Sequence, residues 1–134
     1  MDLMGVNLSG VSLVNYNFSA TAFDNANLTF ADLTSCDLSG ANFYHANMSK
    51  VKMFHASAYG GQFRKTKLTD ADLSGSVFNS ADFKAATLTG CKIHGIGRTG
   101  KSKMLSMIIS ILEFGQGGIR WTPESTSLLW ILIS

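Results

Sequence analysis

The chain of 134 residues has little of several features that small proteins commonly use. It contains one proline and two cysteines, and only 15% of its residues are charged. Two cysteines cannot form the disulfide framework of a small secreted domain, so we expect a reducing, cytoplasmic location. A formal charge of +2 gives no reason to expect direct binding of nucleic acid or of an acidic membrane surface.

Long hydrophobic runs are also missing. The longest apolar stretch, Met104 to Phe114, covers 11 residues, roughly half of what a membrane helix needs. The first residues lack the basic start and continuous apolar core of a secretory signal. Because 46% of the residues are hydrophobic, the chain is too apolar to be disordered. These features predict a soluble domain without a membrane span.

What the sequence has in abundance is a repeat with a period of five. Counting in fives from Leu3 to Ile93, eighteen of nineteen positions hold Leu, Ile, Met or Phe, and Ala58 is the exception. Two positions before each of these lies a small residue in 17 of 19 cases, with Met1 and Tyr16 as the exceptions. A period of five matches neither a helix nor a flat strand, which excludes a helical bundle and an ordinary sandwich.

A chain that turns a corner once in every repeat unit satisfies this pattern. Each short side sends one large and one small side chain inward, and its backbone pairs with the coils above and below as in a parallel sheet. The corner residue needs an unusual φ, which suits glycine, asparagine and aspartate. These types occupy Gly5, Gly10, Asn15, Asn25, Gly40, Gly60, Asp70, Gly75, Gly90 and Gly95. The same argument does not explain Phe30, Lys50 and Lys65, which fall in the same slot.

Units such as Ala31-Asp32-Leu33-Thr34-Ser35 and Ala71-Asp72-Leu73-Ser74-Gly75 resemble the A(D/N)Lxx unit of the pentapeptide repeat proteins. The resemblance covers residues 1–95 and implies an all-β fold, a right-handed quadrilateral parallel β-helix with four repeat units per coil. Residues 96–134 are expected to form a C-terminal cap or tail, helical or irregular. A helix from about Ser102 to Phe114 is the preferred form of the cap.

With four units per coil, side chains four units apart in the sequence should stack. One ladder then carries Phe23, Phe43, Phe63 and Phe83. Ala58 is the weak rung of its ladder, because it is much smaller than the residues above and below it. Phe54 or Tyr59 is expected to fill the space beside it, since a cavity there would lower the stability of the fold. On the surface, Ser12, Asp32, Lys52, Asp72 and Lys92 form a column of alternating charge. Hydrogen-bonding ladders are expected along Asn7, Asn27 and Asn47, and along Ser9, Thr29, Ser49, Thr69 and Thr89.

Candidate sites for chemistry are few. The segment Gly95 to Ser102 fits the phosphate-loop pattern GxxxxGK(S/T), but too little chain follows it to build a parallel α/β sheet, so a glycine-rich exit from the repeat is preferred. His45, His55 and His94 fall too far apart to share a metal ion. Cys36 and Cys91 fall in the small inward slot and are predicted to be buried free thiols. We therefore expect no catalytic, cofactor-binding or metal-binding residues.

Charge is distributed unevenly along the chain. Residues 1–49 contain four aspartates and no lysine or arginine, a net of −4, whereas residues 50–95 contain seven basic residues and three aspartates, a net of +4. The ends of a solenoid expose unpaired backbone groups, which a cap or another chain normally covers. Residues 128–133 form an apolar tail, which is expected to dock on the solenoid or on a second subunit.

The preferred function is therefore a non-catalytic scaffold or protein-protein interaction module. It would contact a protein partner, or another copy, through its ends and its C-terminal tail. The family resemblance also implies an alternative, a DNA mimic that inhibits or protects DNA gyrase. A third hypothesis, nucleotide binding at Gly95 to Ser102, depends on the phosphate-loop pattern alone.

Overall fold

The computed structural model describes residues 1–92. One conformation recurs in every repeat unit of this range: the second residue of the unit forms a single-residue bridge, and the fourth and fifth form a turn. Residues 1–92 contain no helix, and their only strand pairing is through these isolated bridges. The fold is built from short sides and corners because a period of five cannot continue along a longer strand.

The bridges define the register. Each joins positions four repeat units apart in parallel, from Asp2 with Ala22 to Asp72 with Lys92. Both backbone groups take part, since the Leu3 N–H donates to the Ala22 carbonyl (2.8 Å) and the Ala22 N–H donates to the Met1 carbonyl (3.0 Å). A coil therefore has four units and four sides, and the predicted register is confirmed. Coils 1 to 4 are residues 1–20, 21–40, 41–60 and 61–80, and coil 5 starts at residue 81.

Each corner is a β-turn. At the corner after Met53 the Ala56 N–H donates to the Ser76 hydroxyl oxygen (3.2 Å), and the other corners from Leu3 to Cys91 are closed by a backbone hydrogen bond. In one of them the Ala46 N–H donates to the Phe43 carbonyl at 2.9 Å. Every fifth residue from Gly5 to Gly90 has a positive φ, between 52° and 74°, as the third residue of a type II turn requires. Phe30, with φ 60°, obeys this rule as strictly as any glycine. The coil thus imposes the positive φ at every corner, and glycine or asparagine only lowers the free-energy cost of that conformation.

The inward columns form one continuous core. The rings of Phe23, Phe43, Phe63 and Phe83 stack face to face, with centroids 4.8 to 5.0 Å apart and planes within 8° of parallel. The predicted phenylalanine ladder is confirmed. The other three columns are buried beside it from coil 2 onward, with Leu28, Leu33 and Leu38 fully enclosed.

The expected filling of the weak rung at Ala58 is wrong for Tyr59. Tyr59 is 56% exposed, whereas Ala58 is fully buried. Phe63 lies close to the first residue of its own unit, because one of its ring carbons is only 2.7 Å from where a Cβ on Gly61 would stand. The Gly61 N–H donates to the Ala58 carbonyl at 3.0 Å. Glycine at position 61 therefore leaves the space that the Phe63 ring occupies.

Candidate functional surfaces

The interior is a structural core with its own hydrogen bonds. Small inward side chains that carry a hydroxyl or thiol donate to a backbone carbonyl of the preceding coil. Thr66 donates to Phe43 (2.7 Å), and Ser76 donates to Met53. Cys36 donates to Leu13 (2.9 Å), and Cys91 donates to Leu68 (3.0 Å).

The two thiols are free and buried, as the sequence predicts. Burial raises the pKa of Cys36 and raises the pKa of Cys91 to about 12. A thiol needs to be deprotonated to act as a nucleophile or metal ligand, so neither cysteine is suited to reaction at neutral pH.

A second set of hydrogen bonds lies on the surface, at the bridge position of each unit. Asn or Asp there accepts, through Oδ1, the backbone N–H two positions later, as in Asn47 with Ser49 (3.1 Å). Ten units make this bond: those of Asp2, Asn7, Asn17, Asn27, Asp32, Asp37, Asn42, Asn47, Asp72 and Asp82. The bond closes the polar side of each corner, which is an Asx turn.

These Asx bonds correct the expected asparagine ladder. The Oδ1 atoms of Asn7, Asn27 and Asn47 bond within their own units instead of along the column. The hydroxyl ladder is present at its first step, where Ser9 and Thr29 lie 2.8 Å apart, but the Thr29 hydroxyl also donates to Asn27. Sequence reasoning missed the Asx role, although Asn or Asp two positions before Ser or Thr was its visible signal.

The column of alternating charge is also present, since Asp32 bridges to Lys52 and Lys52 to Asp72. Hydrogen bonding from the Thr34 hydroxyl is the main reason why the pKa of Asp32 is lowered, with a smaller contribution from Lys52. Asp32 therefore interacts more strongly with the turn of its own unit than with the neighbouring charge of Lys52.

One corner of the solenoid carries Asp24, Arg64, Lys65 and Lys84, and we call it the charged edge. It consists of residues 4–5, 24–25, 44–45, 64–65 and 84–85, which stack because they lie one full coil apart. Arg64 approaches Asp82 at 3.8 Å, with both side chains more than 40% exposed. The Lys65 ammonium lies 5.8 Å from the ring centroid of Tyr44. Tyr44 in turn meets His45 edge-on, with centroids 4.4 Å apart.

The first coil presents a different, apolar surface. Met1, Val11 and Tyr16 are exposed, at 73%, 38% and 58%. Met1 and Tyr16 are the two large residues in the otherwise small inward slot. The bridge residues of this coil pair only toward coil 2. This end therefore combines apolar side chains with backbone groups available for pairing.

Within residues 1–92, the candidate metal-binding histidines are not brought together. His45 and His55 are exposed and lie on different corners. Residues 1–92 hold no group of three His, Cys, Asp or Glu side chains that could bind a metal ion. His94, the segment Gly95 to Ser102, the predicted helix and the apolar tail lie outside the described residues.

The repeat pattern and the coil geometry both have counterparts among known proteins. The family model "Pentapeptide repeats (8 copies)" matches residues 2–40, 23–57 and 62–95, which is more than half of the chain. The chain is a pentapeptide repeat protein. Curated proteins gave no significant match. Like the structures described next, this protein has the β-solenoid fold of the family.

Three solved pentapeptide repeat structures illustrate the similarity. HetL of Nostoc sp. strain PCC 7120, a protein involved in heterocyst differentiation regulation, is 24% identical with a TM-score of 0.61, over 68% of this chain and 46% of HetL. A protein of the Arabidopsis thaliana thylakoid lumen is 20% identical with a TM-score of 0.59, over 96% of this chain and 88% of that one. QnrB1, a plasmid-mediated fluoroquinolone resistance protein, in a trypsin-treated form, is 26% identical with a TM-score of 0.53, over 70% of this chain and 58% of QnrB1.

The match to HetL spans a little under half of that protein's length. Among residues 1–92, no helix of this pentapeptide repeat protein is long and apolar enough to cross a membrane. The shared property of these structures is the repeat solenoid, which holds surface side chains at a fixed spacing.

Proposed function

We propose that this pentapeptide repeat protein is a non-catalytic scaffold that binds a protein partner, or another copy of itself, through the ends of its solenoid. The observation that carries the proposal is the apolar end of coil 1, where Met1, Val11 and Tyr16 are exposed beside backbone groups that pair on one side only. Exposed apolar surface next to an open β edge is a typical protein-binding surface.

The proposed organisation is a right-handed solenoid over residues 1–95 and a C-terminal cap or tail over residues 96–134. Right-handedness is expected because connections between parallel strands are almost always right-handed. Limited proteolysis of the full chain should yield a resistant fragment that ends near residue 95. A first stable cut within residues 30–80 would contradict this boundary. The buried free thiols agree with a reducing, cytoplasmic compartment.

End binding is tested by placing charge on the apolar end. The variant Val11→Lys/Tyr16→Lys should lose association measured by light scattering, because burying lysine at an interface is unfavourable. Tyr59→Lys is the matched control, since Tyr59 is also exposed but lies on a corner of coil 3. Circular dichroism should confirm that both variants fold. Association that is the same in the parent and the end variant at both low and high salt would overturn the proposal, because apolar contacts persist in salt whereas exposed ionic contacts are screened.

DNA mimicry is the second candidate function, favoured by the similarity to a fluoroquinolone resistance protein. A mimic needs acidic charge along its whole length to replace the phosphates of a duplex, which carry one charge per ~1.7 Å of axis. Here only the first half is acidic, and residues 50–95 carry a net +4. We therefore expect no effect on DNA gyrase in a supercoiling assay at micromolar protein, and clear inhibition or protection would favour the mimic.

Nucleotide binding at Gly95 to Ser102 is the least favoured candidate. We expect no saturable ATP binding by calorimetry with the full chain. Binding that is lost in Lys101→Ala would establish this function, because the lysine of such a loop contacts the terminal phosphates.

A further inference from the structure

Along the charged edge, an acidic side chain in coil 2 and basic side chains in coil 4 lie on either side of two aromatic side chains in coil 3. In coil 2 it carries Asp24, which is half-buried and accepts a hydrogen bond from the Asn42 amide at 3.1 Å. In coil 3 it carries Tyr44 and His45, which contact each other edge-on. In coil 4 it carries Arg64 and Lys65, both exposed.

The spacing along this edge follows from the core. Successive rings of the phenylalanine ladder lie 4.8 to 5.0 Å apart, which is the distance between coils. Asp24 and Arg64 therefore lie about 10 Å apart along the axis, one coil on either side of Tyr44. The acidic and basic groups are thus equidistant from an aromatic centre.

The charges of this edge are complementary to those of a second copy that is rotated by 180° about an axis through Tyr44. If two copies lie antiparallel with their Tyr44 residues level, Asp24 of one copy faces Arg64 and Lys65 of the other, and the same contact occurs a second time by symmetry. A twofold axis generates such paired, identical contacts.

From this order we propose that two copies of the protein associate side by side, antiparallel, along the charged edge, with the twofold axis at Tyr44 and His45. The inference rests on the proposed function as a protein-binding scaffold, but uses the side of the solenoid and not its end. Because the contacts are ionic and exposed, the dimer should be weak and should dissociate as salt rises.

Arg64, Lys65 and Tyr44 have only loose partners within their own chain. Arg64 and Asp82 are 3.8 Å apart and largely solvated. Tyr44 keeps 37% of its surface exposed, with the Lys65 ammonium 5.8 Å from its ring. The side chains can therefore turn to a second copy without breaking a buried contact of the first.

A pair of charge-reversed variants tests the proposal in the full chain. Arg64→Glu/Lys65→Glu places acid opposite Asp24, and Asp24→Lys places base opposite Arg64 and Lys65. Each variant alone should associate at least about tenfold more weakly than the parent in sedimentation equilibrium at low salt. In an equal mixture both contacts are attractive again, so a heterodimer should form with an affinity close to that of the parent.

Two controls separate this edge from other modes of association. Lys52→Glu/Lys92→Glu makes the same change in net charge on the opposite side of the solenoid and should leave dimerisation within about threefold of the parent. Lys65→Glu alone leaves the Arg64–Asp82 contact in place and should weaken the dimer less than the double variant. This single change keeps the test valid if the double variant folds poorly.

Cross-linking locates the axis. Tyr44→Cys should form a disulfide-linked dimer on mild oxidation, because the two copies of position 44 would face each other across the axis. Tyr59→Cys, in the same coil on a different edge, should remain monomeric. A parent that is monomeric at low salt, association that neither charge variant weakens, or equal cross-linking at both positions would each overturn the proposal. Association that only Val11→Lys/Tyr16→Lys removes would also overturn it, by showing binding through the ends alone.

Discussion

The two halves of the solenoid share one core but close their corners differently. Among the ten units of residues 1–50, eight have an Asn or Asp whose Oδ1 accepts the N–H two positions later. Among the nine bridge positions from Lys52 to Lys92, only Asp72 and Asp82 make this bond. Lysine occupies three of the others, Lys52, Lys67 and Lys92.

This difference changes how the charge should be interpreted. Asp2, Asp32 and Asp37 carry negative charge, but each also closes a turn in the same way as a neutral asparagine. Much of the acidity of the first half is therefore a by-product of turn chemistry. The lysines of the second half cannot accept that bond, since an ammonium group has no acceptor. The positive charge of the second half is therefore not a by-product of the same turn chemistry.

The largest expected effect tests whether the cores of the halves are equivalent. Phe23→Ala and Phe63→Ala should each lower the free energy of unfolding by about 3–5 kcal/mol, because each removes a fully buried ring from the ladder. Urea denaturation followed by circular dichroism measures this. A loss below about 1 kcal/mol for one of the two would show that its half is not part of the common core.

A smaller effect on stability is expected at Gly61, beside the core of the second half. Gly61→Ala should cost about 1–3 kcal/mol, because the added methyl would lie 2.7 Å from the ring of Phe63. The same position one coil earlier is Ala41, which is fully buried. Ala41→Gly is the matched control and should cost only about 1 kcal/mol, through the lost methyl and the freer unfolded chain. A stable Gly61→Ala variant would show that Phe63 does not depend on this space.

Substitutions can remove the Asx hydrogen bond from a corner of the first half and introduce it at the matching corner of the second half. Asn47 and Lys67 bridge to each other in one column. Asn47→Lys should cost about 0.5–1.5 kcal/mol, because it removes the acceptor for the Ser49 N–H. Lys67→Asn should stabilise the protein by a similar or smaller amount, since it can accept the Thr69 N–H. Thermal unfolding of both variants checks the pair, and a stabilised Asn47→Lys would refute the structural role of the bond.

The smallest expected effect is on the stability of the fold at low pH. The pKa of Asp32 is lowered mainly by hydrogen bonding from the Thr34 hydroxyl. A carboxylate whose pKa is lower in the folded state stabilises the fold above its unfolded pKa, and this contribution disappears as pH falls through the folded value. Thr34→Ala should raise the pKa of Asp32 toward its usual value, whereas Thr34→Ser should keep it low. Carboxyl-carbon NMR titration distinguishes the two, and equal pKa values in both variants would contradict the assigned cause.

The repeat period was sufficient to predict the burial of Cys36 and Cys91. The coil register and the phenylalanine ladder also needed the four units per coil that the family resemblance implies. The repeat period did not predict the close approach of the Phe63 ring to Gly61, because that contact depends on where the ring lies within its column. Nor did it predict a positive φ at Phe30, since that residue alone gives no reason for it. The charged edge was missed because its members lie a full coil apart and form a pattern only when coils are aligned by corner.

The register of four units per coil also restricts how the length of such a chain can change in evolution. Removing residues 41–60 would place Phe63 directly on Phe23, so every column and every edge would continue unbroken. Removing only residues 41–45 would place Met48 on Phe23 and rotate everything that follows by a quarter of a turn. Insertions and deletions are therefore expected in whole coils, and the surface pattern of a descendant should lengthen or shorten without changing its angular order.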